Sequence, residues 1–269
     1  MHWLAVTEAG LPPGQAWLSP DESVRLERLR FTKPRTEYLL RRWAGKRAVL
    51  ALEAAAPARL DPAELARVEL LNRPGGAPFV RREGVLADLD VSLTDRAGVA
   101  VGLVGPAGRG TLGTDLELVE PRSAAFVADY LTPAERDAVA ASGGVSSEPW
   151  NLAANLVWSA KESALKVLRV GLRADTRSVV VSWGAPPGPD GWAPLSVGTQ
   201  DGWTFPGWWR RDGQFVLTVV YREAALPPVL LPGGDDLAVA VPTHSWLASP
   251  VVDAALDDEA GPTEPTRAH

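Results

Sequence analysis

The chain has 269 residues, 46% of them hydrophobic and 22% charged, with a net charge of −6, no cysteine and three histidines. Such a chain builds one large domain or two small ones, and it excludes disulfides, thiolate zinc sites and thiol catalysis. A histidine triad is also disfavoured, because His2, His244 and His269 lie near the chain's ends.

The acidic balance offers no broad basic field for nucleic acid. No stretch is long enough to span a bilayer, and the opening "MHWLAVTEAG" lacks a basic region followed by an apolar one, so no membrane association and a cytoplasmic location are expected. The chemistry must come from carboxylates, lysines, arginines, hydroxyls and backbone groups.

In chain order, "HWLAV" predicts an opening strand. "WLSPDE" at 17–22 then predicts a helix start, with Ser19 as cap, Pro20 at the first helical position and Glu22 completing a capping box. Basic residues crowd between Arg25 and Arg47, a run that reads either as solvated helices or as an anion-binding surface. "WAGKRAVL" at 43–50 continues the helical region, and the alternation in "GVAVGLV" at 98–104 predicts an antiparallel strand.

The second half repeats this order. "GTDLELV" opens it, and "YLTPAE" at 130–135 supplies a second capping box. "WSAKESAL" at 158–165 then places Trp158 and Lys161 where the first half has Trp43 and Lys46, and "QFVLTVVY" at 214–221 closes with alternating residues. The expectation is an α+β protein of two similar lobes about a pseudo-twofold axis, each a small, mainly antiparallel sheet packed with helices. The lobes would span 1–110 and 111–231, with a cleft between them. The Gly-, Pro-, Asp- and Ala-rich extension 232–269 is expected to be partly disordered. A cleft completed within one chain points to a monomer.

Alternation in "LGTDLELVEP" puts Asp115 and Glu117 on one strand face and Thr114, Leu116 and Leu118 on the other. Adjacent acids need a positive partner, commonly a hard divalent cation; an edge strand with a solvated acidic face is the alternative. In the helix expected from Pro149 to Leu168, Leu152, Leu156, Ala160 and Ala164 recur every four residues and face the core. Trp158, Glu162 and Lys166 share an adjoining face, which a surface ion pair would also explain. Glu162 corresponds to Arg47 in the repeat, so the third acid belongs to the half that carries the other two. Three carboxylates suit Mg²⁺ bound to a phosphate-containing substrate, with Lys161 and Lys166 holding phosphate oxygens.

"GTDLE" at 113–117, "FVADYLTPAE" at 126–135 and "WSAKESALK" at 158–166 together resemble the 4′-phosphopantetheinyl transferases, especially the larger two-lobed type that activates polyketide and nonribosomal peptide synthetases. "GGAPFV" at 75–80 and "VSLTDRAGVAV" at 91–101 extend the resemblance into the first half. It implies that coenzyme A binds between the lobes and that its phosphopantetheine arm passes to a serine of an apo acyl or peptidyl carrier protein, releasing 3′,5′-ADP. It further implies that Asp115, Glu117 and Glu162 hold Mg²⁺ against the CoA pyrophosphate. Glu162, directly or through a water, would help remove the serine proton, Lys166 would neutralise charge building on the pyrophosphate, and Lys161 would position the nucleotide. Arg35, Arg42 and Lys46 become candidates for further CoA phosphate contacts.

Where the family usually has Ser-His, this chain has Thr94, Asp95 and Arg96. Thr94 and Arg96 are therefore cofactor-binding candidates. Arg96 would take over the histidine's phosphate contact, or Asp95 would turn to a neighbouring arginine; failing both, CoA affinity falls. A relative that only binds CoA or a carrier protein, and an unrelated metal-dependent phosphohydrolase, are the competing readings.

Overall fold

The computed structural model describes residues 1–53, 60–107, 111–170, 174–184, 187–188 and 190–243. The first half contributes strand β1 (His2–Thr7), helices α1 (Pro20–Glu27), α2 (Thr32–Glu53) and α3 (Pro62–Arg67), and strands β2 (Val68–Asn72), β3 (Pro78–Arg82), β4 (Val85–Leu86), β5 (Leu89–Arg96) and β6 (Val99–Pro106). The second contributes β7 (Leu112–Leu118), α4 (Ala124–Tyr130), α5 (Pro133–Ser142), α6 (Glu148–Leu168), β8 (Val179–Trp183), β9 (Ala193–Thr199), β10 (Thr204–Asp212), β11 (Phe215–Tyr221) and a short β12 (Val229–Leu230). Among the described residues no helix is long and apolar enough to cross a membrane.

The strands form a four-stranded sheet ordered β12-β1-β6-β5, a five-stranded sheet ordered β7-β11-β10-β9-β8, and a small sheet β2-β3-β4. All pairings are antiparallel except that of β12 with β1. The fold is therefore α+β, as expected. Alternation along the strands distributes their side chains over three cores. Leu4, Val6, Ala100 and Val104 pack with Ala44, Ala48 and Val49 of α2, and Val216 and Val220 pack with Leu156, Ala160 and Ala164 of α6. Trp3, Val101, Leu103, Leu116, Leu217 and Val219 meet between the two sheets. Each long helix thus covers the outer face of one sheet.

Both capping boxes form, Ser19 with Glu22 on α1 and Thr132 with Glu135 on α5. Each glutamate then does more than cap. Glu22 accepts from the Leu70 backbone N–H at 2.9 Å and pairs with Lys46 Nζ at 2.5 Å. Glu135 accepts from the Val181 N–H at 2.7 Å and pairs with Lys161 Nζ at 2.9 Å. Lys46 donates to the Trp17 and Leu65 carbonyls, and Lys161 to those of Thr176 and Val179. A buried ammonium saturated by a carboxylate and two carbonyls is thus built twice, once in each half.

The chain past Tyr221 departs from expectation. It leaves the five-stranded sheet and crosses to the first half, where β12 pairs along β1. The Asp235 carboxylate then accepts from the Thr7 N–H and Oγ1, and Leu237 is buried between the sheets. The free edge of β1 would otherwise leave backbone groups unpaired, and this strap satisfies them. Residues 232–243 are therefore part of the folded body, and 244–269, the rest of the segment expected to be disordered, lie outside the described residues.

Candidate functional site

The site is built on β7 and α6. Gly113 permits their close approach, since a Cβ there would collide with the Ser163 carbonyl of α6. Helix α6 caps at Ser147 with Pro149 in its first turn, and its stripe Trp158–Glu162–Lys166 runs beside Glu117 and Asp115. At one end Trp158 Nε1 donates to Glu117 Oε1 at 3.0 Å. At the other, Lys166 Nζ donates to Asp115 Oδ1 at 2.9 Å and to the Thr114 carbonyl at 2.7 Å. The sequence placed Asp115 and Glu117 on one strand face and Trp158 and Lys166 on one helix face, and the structure brings the two faces together.

Strand β7 is buried along its whole length, Asp115 and Glu117 included, so the solvated acidic edge is ruled out. Its free edge is covered by β5, whose hydroxyls replace a ladder: the Thr114 N–H donates to Ser92 Oγ at 3.0 Å and the Leu116 N–H to Thr94 Oγ1 at 3.2 Å. Thr94 Oγ1 also donates to Asp115 Oδ1 at 3.1 Å. Arg96, two residues along the same face of β5, stands 3.2 Å from Glu117 and pairs with Glu120. Both residues expected to hold CoA instead support the acids, because this face of β5 is turned towards β7. Asp95 points the other way and pairs with Arg41, as one of the two sequence-based alternatives required.

Burial strains the acid cluster electrostatically. It pushes the Glu117 carboxyl up to about 7, with the charge of Asp115 adding to the rise and Arg96, Arg122 and Trp158 opposing it. The Glu162 carboxyl is also pushed up to about 7, first by burial, then by Asp115 and Glu117, against Lys166. Asp115 Oδ2 and Glu162 Oε1 are buried and have no hydrogen-bond partner. Buried carboxylate oxygens without donors cost free energy unless a cation faces them, and hard oxygens of this kind suit Mg²⁺. Among the described residues the acids do not close into a ready-made three-ligand cage; Glu117 is turned to its arginines.

Lys166 also lines a cleft of about 870 Å³ between the halves, walled by α2, the β2–β3 turn, β5 and the end of α6. Arg25, Arg41, Arg42, Arg73, Lys166 and Arg169 reach it, against Asp21 and Asp90. This excess of cations gives the cleft a positive lining suited to an anion. Arg42 lines it, its Nη2 donating to Asn72 Oδ1 at 2.6 Å.

Three other expected phosphate ligands are elsewhere. Arg35 donates to the Leu26 and Leu29 carbonyls at 2.9 and 3.1 Å, closing the end of α1. Lys46 and Lys161 are fully buried in their glutamate pairs; their ammonium groups point into the core, and neither lines the cleft. Sequence reasoning missed Arg25, Arg41, Arg73 and Arg169. The first two lie inside the basic run, Arg73 precedes the Pro-Gly-Gly turn, and Arg169 caps α6 in a left-handed conformation.

Residues 111–190, which carry β7, α4, α5, α6 and the acid cluster, match the family model of the 4′-phosphopantetheinyl transferase superfamily. No curated protein matches the chain.

Proposed function

From the premise that residues 111–190 form a 4′-phosphopantetheinyl transferase superfamily domain, we propose that the chain transfers the 4′-phosphopantetheine arm of coenzyme A to a serine of an apo acyl or peptidyl carrier protein, with Mg²⁺, releasing 3′,5′-ADP. The observation that carries this reading is the junction at Lys166, whose ammonium joins the buried acid cluster to the cationic cleft. The twice-built lysine–glutamate pair supports the two-lobed organisation, with lobes over 1–110 and 111–231, that the larger family type has.

The cleft's size and cations suit a polyanionic nucleotide, and its arginines would hold the CoA phosphates. Asp115, Glu117 and Glu162 form the acid cluster that would hold Mg²⁺, and the unpartnered oxygens of Asp115 and Glu162 fit that role. When bound, the metal would supply positive charge against the pyrophosphate. Lys166, paired with Asp115 and lining the cleft, would neutralise the charge that grows on the departing 3′,5′-ADP. Glu162, directly or through a water, would accept the serine proton. The serine oxygen then attacks the β-phosphorus of the pantetheine arm, and the bond from that phosphorus to the oxygen bridging to ADP breaks.

Incubation with CoA, Mg²⁺ and a purified apo carrier protein tests the proposal. A gain of one phosphopantetheine in the carrier's mass, absent without the metal, is the expected result. CoA binding without carrier modification would instead establish a binding protein, and phosphate release without transfer a phosphohydrolase.

A further inference from the structure

Strand β5 is the edge strand of its sheet and meets β7 of the other half through side chains rather than a ladder. Just past Arg96 the chain reverses into β6 through Ala97 and Gly98, both left-handed with φ of 49° and 77°. Two segments hold this turn. The Glu8 N–H, just after β1, donates to the Gly98 carbonyl at 2.7 Å, and the Thr243 N–H, at the end of the strap, donates to the Ala97 carbonyl at 3.0 Å. Thr243 Oγ1 also donates to Glu8 Oε2 at 3.1 Å, so the three segments form one junction. On its way there the strap touches the other half. Leu237 is buried in the core that holds Val99, Phe215 and Leu217. The Ala238 carbonyl lies so close to Gly213, in the β10–β11 turn, that a Cβ there would collide with it.

We infer that residues 237–243 are a positioning latch between the halves, and that Thr243 is its catch. By tying the β5–β6 turn to the β10–β11 turn, the latch holds the end of β5, with Thr94 and Arg96, against β7. Pairing with β6 fixes β5 within its own sheet but not against β7. Across that seam each backbone hydrogen bond of a ladder is replaced by a side-chain hydroxyl, so the end of β5 depends on what fixes the turn beyond it. The lever is short. Arg96 adjoins Ala97, and Thr94 is three residues from it, about 10 Å of strand at 3.3 Å per residue. Thr94 accepts from the Leu116 N–H and donates to Asp115, and Arg96 pairs with Glu120. A chain end remote in sequence from the site therefore sets how closely one half supports the carboxylate-bearing strand of the other. This holds whatever chemistry the site performs, and so does its test.

Native-state amide exchange, followed by NMR on the full chain, reads the seam directly. Thr243→Pro removes both the N–H and the hydroxyl, and because Thr243 is exposed no core packing is lost with it. The Leu116 amide, which donates to Thr94, is expected to exchange roughly fivefold faster or more, the effect of losing hydrogen bonds that hold a local unit closed. The Thr114 amide should respond less, since its partner Ser92 lies farther from the turn. Amides within β10 and β11 should stay within about twofold of the parent protein, as in local rather than global opening. Thr243→Ser, which keeps both donors, is expected to match the parent. Thr243→Val keeps the N–H alone, should accelerate Leu116 by roughly twofold, and serves if Thr243→Pro does not fold. An unchanged Leu116 amide in the folded variant would overturn the inference by showing that β5 is held without the strap. Equal acceleration of Leu116 and the β10 and β11 amides would overturn it too, because Thr243 would then add only to global stability.

Discussion

Lys161 Nζ lies 2.9 Å from Glu135 Oε2, with both side chains closed off from solvent, and Lys46 meets Glu22 in the same manner in the other half. Burial lowers both lysines' pKa values and the facing glutamates counter the fall. Removing one partner of such a pair strands a buried charge, which costs about 3–5 kcal/mol. Lys161→Met is therefore expected to destabilise the protein by about that amount, whereas Glu135→Gln combined with Lys161→Met recovers a substantial part of it. Chemical denaturation checks this; a Lys161→Met protein as stable as the parent would show that the pair is not structural.

That pair also marks how far the sequence was legible. The capping boxes, the strand alternation and the course of α6 follow from local spacing, which determines the face a side chain leaves from. Where its far end goes is a long-range matter. Nothing near Lys161 in sequence says that a capping-box glutamate on α5 has an oxygen and a charge to spare, so local spacing alone leaves the lysine free for phosphate. The repeat did carry the signal, because each half has one such lysine and one such glutamate. Arg73 and Arg169 were missed for the converse reason: each flanks an element rather than lying in a periodic pattern, and only the packing of the halves brings them to one cleft.

Glu162→Ala is expected to lower transfer by roughly 10²–10⁴-fold, the range for loss of a general base, because a proton acceptor and a metal-facing oxygen go together. Its metal-free melting temperature is expected to hold or rise, since the deleted acid is repelled by Asp115 and Glu117; each kcal/mol of relief is worth about 2–4 °C in a chain of this size. Carrier modification followed by mass spectrometry, with calorimetric melting alongside, separates the two effects. Near-parental transfer would remove Glu162 from the mechanism.

Asp95 occupies Arg41, a cleft cation. Asp95→Asn releases that guanidinium and removes a negative charge near a polyanionic ligand, so CoA binding is expected to tighten by about 3–10-fold, a free-energy change of about 1 kcal/mol, the size of one solvent-screened ion pair. The same variant has a signature in pH. Burial raises the Asp95 carboxyl above its ordinary value, with Arg41 opposing the shift. A raised carboxyl contributes its full stability only below the unfolded value, and that contribution is lost as pH rises through the folded value. Asp95→Asn should therefore gain stability relative to the parent as pH rises from acid to neutral. An unchanged CoA affinity would show that Arg41 does not serve the ligand.

Arg73 and Arg169 enter the cleft from opposite halves, one before the β2–β3 turn and the other at the end of α6. Each is exposed at the rim, so each acts through screened charge rather than through a desolvated pair. Arg73→Ala and Arg169→Ala are each expected to weaken CoA binding by about 3–10-fold, the effect of one screened contact of roughly 1 kcal/mol, and to flatten its dependence on salt. Because they approach from different sides, they should meet different phosphates. Titration with dephospho-CoA, which lacks the 3′-phosphate, tests that point: the arginine serving the 3′-phosphate loses its effect, while the one serving the pyrophosphate keeps it. If neither substitution changes affinity at low salt, the cationic cleft is not where CoA binds.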